Sequence, residues 1–121
     1  MLLVTSNKSK RLLNIRYLGQ VRLDEFQSAL EDLKTELGAV SPNFRCLVDL
    51  SQLESLGLDC VPEIGRVMEF MGQASPSLVV RFIPDTRKDF GLNILTIFHY
   101  PKHLRVVTCH NLNDVAKILG L

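Results

Sequence analysis

The side chains with chemistry to offer fall into two stretches of this chain. The first holds Asp49, Ser51, Ser55, Asp59 and Cys60. Asp49 ends an apolar run that reads as a buried strand, and the C-terminal ends of strands are where sites gather in α/β sheets. A receiver-type phosphoacceptor would need a second acidic cluster after an early strand. Residues 2–6 offer none, so Asp49 is expected to bond loop backbone. Asp59 stands at the predicted start of a helix, where partial positive charge and unpaired N–H groups favour an anion. As an ordinary N-cap it would contribute about 1 kcal/mol. Cys60 beside it could carry a lowered thiol pKa, although a small buried hydrophobe is the simpler account. The hydroxyls of Ser51 and Ser55 are expected to serve the turn. These five residues, Asp49, Ser51, Ser55, Asp59 and Cys60, form the candidate partner-binding set.

The second stretch begins at Arg81. Arg81, Arg87 and Lys88 could make an anion-binding edge, but Asp85 and Asp89 interleave with them, and a mixed solvated loop is the expectation. His99 and His103 have i, i+4 spacing, yet Pro101 between them breaks the helix that would align them. His110 beside Cys109 does not complete a zinc set, so no metal site is expected. There is no phosphate loop, GxSxG elbow or HExxH pair. With no nucleophile–base pair to name, the expectation is a chain that is not an enzyme and needs no cofactor.

The elements that must position these residues come next. The 121 residues carry a formal net charge of +1, which gives no electrostatic reason to expect nucleic acid or an anionic membrane as partner. No apolar run approaches the roughly 18 residues of a membrane helix, so no membrane insertion is expected. Met1–Val4 is too short for the apolar part of a signal peptide. The three cysteines form no CxxC pair and read as reduced thiols, pointing to the cytoplasm. Length and the absence of linkers predict one domain over residues 1–121.

Strands are predicted over 2–6 and 11–18, where Leu13, Ile15 and Tyr17 alternate with polar residues. A helix is predicted over 24–37, with Leu23, Phe26, Leu30, Leu33 and Leu37 on one face, Asp24 as N-cap with Gln27 completing a capping box, and Gly38 as left-handed C-cap. A buried strand follows over 44–50, then a connection over 51–58. A second helix over about 60–72 carries Pro62 in its first turn. A strand over 77–83, a helix over about 87–99, a strand over 104–109 and a last helix to about 119, capped by Asn111 or Asn113, complete the chain. The helix over 87–99 is unusually apolar: Phe90, Leu92, Ile94, Leu95, Ile97 and Phe98 cover more than one stripe. The order β-β-α-β-α-β-α-β-α implies an α/β fold, a mixed, mostly parallel five-stranded sheet with four helices.

This order, the run Val48-Asp49-Leu50-Ser51 and the spacing Gly19-x-x-x-Leu23-x-x-Phe26 resemble the STAS-type (SpoIIAA-like) domain of the anti-sigma-factor antagonists. The resemblance implies a non-catalytic protein-interaction module with a protein partner. In that family the helix after the Asp-Leu-Ser strand begins with a phosphorylatable serine. Here the corresponding stretch is Leu56-Gly57-Leu58-Asp59-Cys60-Val61, without a hydroxyl, so the phosphoserine switch is not carried over. Asp59 would place a permanent carboxylate where relatives place a reversible phosphate. The alternative reading is a domain of the same fold that encloses an apolar, lipid-like ligand beside the third helix, and a homodimer through that helix is a further partner arrangement.

Overall fold

The computed structural model describes residues 1–121. Five strands, β1 (Leu2–Asn7), β2 (Leu12–Val21), β3 (Arg45–Leu56), β4 (Leu78–Phe82) and β5 (Val106–Cys109), form one sheet in the order β1-β2-β3-β4-β5. The helices are α1 (Glu25–Val40), α2 (Val61–Gln73), α3 (Leu92–His99) and α4 (Leu112–Leu119). β1 is antiparallel to β2, and every other pairing is parallel. The tight β1–β2 return is held by Asn7, whose Oδ1 accepts the Lys10 N–H at 3.1 Å.

Strands added in sequential order through right-handed crossovers put their crossover helices on one face. α1, α2 and α3 accordingly share one core with the inward residues of β2 and β4, among them Leu13, Ile15, Tyr17, Val79, Phe26, Leu33, Ile64, Met71 and Leu92. α4 follows the last strand and covers the opposite face, where Leu12, Leu78, Val80, Phe82, Cys109, Val115 and Leu119 form a second cluster. β4 is buried at all five positions because it is covered along its whole length on both sides. On the α4 side of the sheet Arg16 is exposed and Asn14, Leu47 and Asp49 are only half-buried.

Four expectations need correction. α1 runs through Gly38 to Val40. Gly38 does not have a positive φ, and the helix ends at Ser41, whose N–H bonds the Leu37 carbonyl. Val40 is buried in the main core, and that burial carries the helix past the glycine. Asp24 makes no cap bond. It already has helical backbone angles, and Glu25 caps instead by accepting the Arg22 N–H at 2.8 Å. The stretch predicted as a connection after residue 50 is the second half of β3, paired with β2 as far as Val21↔Leu56 across two register shifts. Leu53 is buried there, fixing the strand's inner face. Finally, the helix predicted over 87–99 is two pieces. A 3-10 turn over Thr86–Asp89 precedes Phe90 and Gly91, which have φ of 51° and 77°, and only then does α3 begin.

Two close approaches lock α2 to the end of α3: a Cβ at Gly65 would sit 2.8 Å from the His99 ring, and one at Gly72 would sit 2.6 Å from Pro101 Cδ. Arg81, on the inner face of β4, holds the start of α3. It is 4% exposed. Its guanidinium pairs with Asp89 and also donates to Asn93 Oδ1 at 3.3 Å and Thr108 Oγ1 at 3.2 Å. Asp89 in turn accepts the Asn93 N–H at 3.3 Å, capping α3. One carboxylate therefore neutralises the buried cation and caps the start of the helix.

These contacts set two expectations for urea unfolding. Gly72→Ala should lose about 1–3 kcal/mol, because the proline ring it meets cannot swing aside, whereas Gly38→Ala, with nothing within 4 Å of the new Cβ, should gain about 0.5–1 kcal/mol from helix propensity. A loss at Gly38→Ala would mean that the helix stops there after all. Asp89→Ala should cost about 3 kcal/mol, since it strands a buried guanidinium; Arg81→Met should cost less, because the freed carboxylate is partly in water.

Candidate functional site

The five predicted site residues form two pairs and a single. Asp49 lies on β3 between Arg16 and Phe82 in the neighbouring strands. Its Oδ1 accepts both the Ser51 N–H at 2.9 Å and the Ser51 hydroxyl at 2.6 Å, and its Oδ2 is 3.7 Å from Arg16 Nε. The carboxylate is thus engaged with local backbone and a neighbouring cation, and the Ser51 hydroxyl is committed to it. Ser55 is exposed on β3 opposite Gln20.

Asp59 does not cap α2. It is the middle residue of a single 3-10 turn, Leu58–Cys60, closed by a bond from the Cys60 N–H to the Gly57 carbonyl. That turn moves the position before α2 on to Cys60, which has helical angles and makes no side-chain cap. Asp59 is exposed beside a groove lined by Gln20, Arg22, Asp24 and Gly57. Cys60 is fully buried, with its Sγ 3.7 Å from Asp59 Oδ1 and 3.9 Å from the Val21 carbonyl. Burial, reinforced by the Asp59 charge, pushes its thiol pKa up, the opposite of what a reactive thiol needs. No hydrogen bond or ion pair joins Asp49–Ser51 to Asp59–Cys60.

The charged residues after β4 divide. Arg87 and Asp85 form the solvated pair expected of a loop, with the two side chains 2.9 Å apart. Arg81 departs from that expectation, because the alternation Val79, Arg81, Ile83 points it inward between two core residues. The strand's period of two could have revealed this from the sequence; the partners Asp89, Asn93 and Thr108 could not be read, because they come from a turn, a helix and the next strand. The three histidines go to three places. His99 Nδ1 is 2.8 Å from Glu69 Oε1, His110 Nδ1 donates to the Ile83 carbonyl at 2.8 Å, and His103 is exposed.

α3 is the most unusual surface. Ile94, Ile97 and Phe98, spaced three and four apart, share its outer side and are 58%, 68% and 77% exposed, with Phe90 at its start 46% exposed. Its inner residues Leu92 and Thr96 close a cavity with Ile15, Tyr17, Val67 and Tyr100. The cavity holds about 20 Å³, room for one water. Burial drives the phenol pKa values of Tyr17 and Tyr100 upward there. Outside, a groove between α3 and β5 is lined by Ile97, Pro101, Lys102, Leu104 and Val106. Between Phe90 and Asn113 the chain has no Asp or Glu. The nearby carboxylates are paired, Asp85 with Arg87, Asp89 with Arg81 and Glu69 with His99. The Lys88 ammonium donates to the Ser51 carbonyl at 3.4 Å, whereas Lys102 and Arg105 are exposed without a carboxylate partner, so the apolar face has a cationic rim.

No family model matches the sequence, and no curated protein matches it significantly. Solved structures do match the fold. An uncharacterised protein of the DUF3478 family with a SpoIIAA-like fold, from Shewanella loihica PV-4, superposes with a TM-score of 0.72 at 12% identity, over 98% of this chain and 92% of that one. The anti-sigma factor antagonist SpoIIAA in its unphosphorylated form gives 0.61 at 13% identity over 100% of both chains. An anti-sigma factor antagonist from Mycobacterium paratuberculosis gives 0.57 at 22% identity, over 100% of this chain and 94% of that one. With five strands in sequential order, one of them antiparallel, and α4 alone on the second face, this chain has the SpoIIAA-like, STAS-type fold.

Proposed function

We propose that this chain is a non-catalytic, cytoplasmic recognition module that binds a protein partner through the outer face of α3. The observation that carries the reading is the exposed stripe Phe90, Ile94, Ile97 and Phe98, a contiguous apolar surface of the kind that soluble domains reserve for contacts. The fold likeness to two anti-sigma factor antagonists supports a protein as the partner. The rim selects its chemistry. Lys102 and Arg105 are free to meet carboxylates, so the fitting partner presents an apolar pocket edged with Asp and Glu. A second copy of this chain fits less well, because the same cations would face each other across the contact.

The module works without a phosphoserine switch at the start of α2, where Leu58, Asp59 and Cys60 supply no hydroxyl. The Asp49–Ser51 pair is read as a strut of β3, and Asp59 as a solvated charge on the groove beside α1. The second reading, an enclosed apolar ligand, draws support from the cavity beneath α3, but a space of about 20 Å³ admits such a ligand only after α3 swings away from the sheet.

A photo-crosslinking residue placed at Phe98 in the native cell should capture one defined protein, with the same residue at Leu58, exposed on the far side of α2's start, as control. The Ile97→Glu, Phe98→Glu double variant should lose at least tenfold of that capture while its stability changes by less than about 0.5 kcal/mol, as befits surface positions. Equal capture from both positions, or capture indifferent to the double variant, would remove α3 as the recognition face.

A further inference from the structure

We propose that the cleft at the C-terminal ends of β4 and β5 binds a small zwitterion, a carboxylate beside an ammonium as in a free α-amino acid. The cleft has a volume of about 300 Å³ and is lined by Arg81, Thr86, Asp89, Asn93, Thr108 and His110, with Ile83 as its apolar wall. That size suits a small metabolite, and the carboxyl ends of parallel strands are where α/β sheets place ligands.

The hydrogen bonds of Arg81 set the polarity of the lining. A guanidinium only donates. Because it donates to Asn93 Oδ1, the Asn93 amide must turn its Nδ2–H groups the other way. Because it donates to Thr108 Oγ1, that hydroxyl keeps its own hydrogen to give. Neither group, nor the Thr86 hydroxyl, donates to anything else in the chain. The buried arginine therefore organises three donors, which suit a carboxylate. The same lining also carries acceptors. His110 spends Nδ1–H on the Ile83 carbonyl, and in that tautomer Nε2 is the acceptor. Each Asp89 oxygen accepts one bond, from Arg81 or from the Asn93 N–H, and retains capacity for another.

Charge then selects among ligands. Arg81 and Asp89 cancel. The neutralised pair leaves no net attraction for a plain anion or a plain cation, whereas a molecule carrying both charges sets its carboxylate on the three donors and its ammonium on the free lone pairs of Asp89. Keeping a charged pair where an apolar one would pack equally well gives no stability advantage, which fits a pair retained to shape a site. This inference is independent of the α3 recognition face.

The test is a titration of the isotopically labelled full chain, followed by NMR, with pools of common free amino acids. At least one amino acid should give saturable shifts at the Asn93 side-chain amide and at Thr108 with a Kd of about 1 mM or tighter. Acetate and methylammonium, each alone, should bind at least about tenfold more weakly. Thr86→Ala, at an exposed position, and Thr108→Val should each weaken binding about fivefold, the effect of one neutral hydrogen bond. If Thr108→Val disturbs the fold, Thr86→Ala decides alone. No saturable shift with any amino acid to about 10 mM, acetate binding as tightly as the amino acid, or indifference to Thr86→Ala would each overturn the proposal.

Discussion

A guanidinium enclosed between sheet and helix has to be neutralised where it stands, because an unpaired buried charge costs several kcal/mol. Arg81 meets that demand with Asp89, Asn93 and Thr108, and the geometry of the functional end of the molecule follows. Asp89 must reach back to β4, so the chain after β4 makes a 3-10 turn. Phe90 and Gly91 take left-handed angles, and α3 starts only at Leu92. The helix is thereby fixed at both ends, by Asp89 at its start and by Pro101 against Gly72 at its finish. A helix so held can leave a greasy side in water without collapsing onto the core.

The same topology explains why that side is uncovered. Right-handed crossovers between sequential strands stack α1, α2 and α3 on one face. α3 is the outermost of them, lying towards the edge strand β5, and has α2 on one flank only. α1 and α2 bury their apolar stripes against the sheet, but α3 has apolar residues around its circumference and covers only the inner ones, Leu92 and Thr96, fully. The surplus, Ile94, Ile97 and Phe98, meets solvent. On its flank toward β5 lies the Arg81 cleft, which shares Asn93 with the groove along β5. An exposed apolar face and a polar cleft thus sit on adjoining sides of one short helix, while the α4 face of the sheet is divided between a small apolar cluster and the local Arg16–Asp49–Ser51 network.

The differences between expectation and structure share one cause. Gly38 reads as a helix stop because isolated glycine prefers that place, but the burial of Val40 outweighs its propensity. Asp24 and Asp59 read as N-caps because Asp before an apolar run caps many helices. Turns set by the neighbouring backbone, Arg22–Glu25 and Gly57–Cys60, give Asp24 helical angles at the N-cap position and leave Asp59 one residue short of it. Residues 51–56 read as a connection because Ser51, Gln52, Glu54 and Ser55 are polar, yet pairing with β2 holds them in the sheet.

What the sequence determined by itself was the element order, the parallel sheet with one antiparallel member, the apolar faces, the surplus of hydrophobic residues on the third helix and the likeness to the STAS fold. The elements and their apolar faces are written in periodicity within single segments, a local property of covalent order, and the likeness rests on their order and on the run Val48-Asp49-Leu50-Ser51. What only the tertiary structure decided was which segments meet. Arg81, Asp89, Asn93, Thr108 and His110 lie on a strand, a turn, a helix, the next strand and the loop after it. No local pattern joins them, because their convergence depends on β5 pairing with β4 and on α3 folding back across the sheet. Sites assembled from several elements are invisible to periodicity for that reason, and the candidate residues read from one continuous stretch, Asp49 to Cys60, separated into local contacts once the strand that carries them was extended.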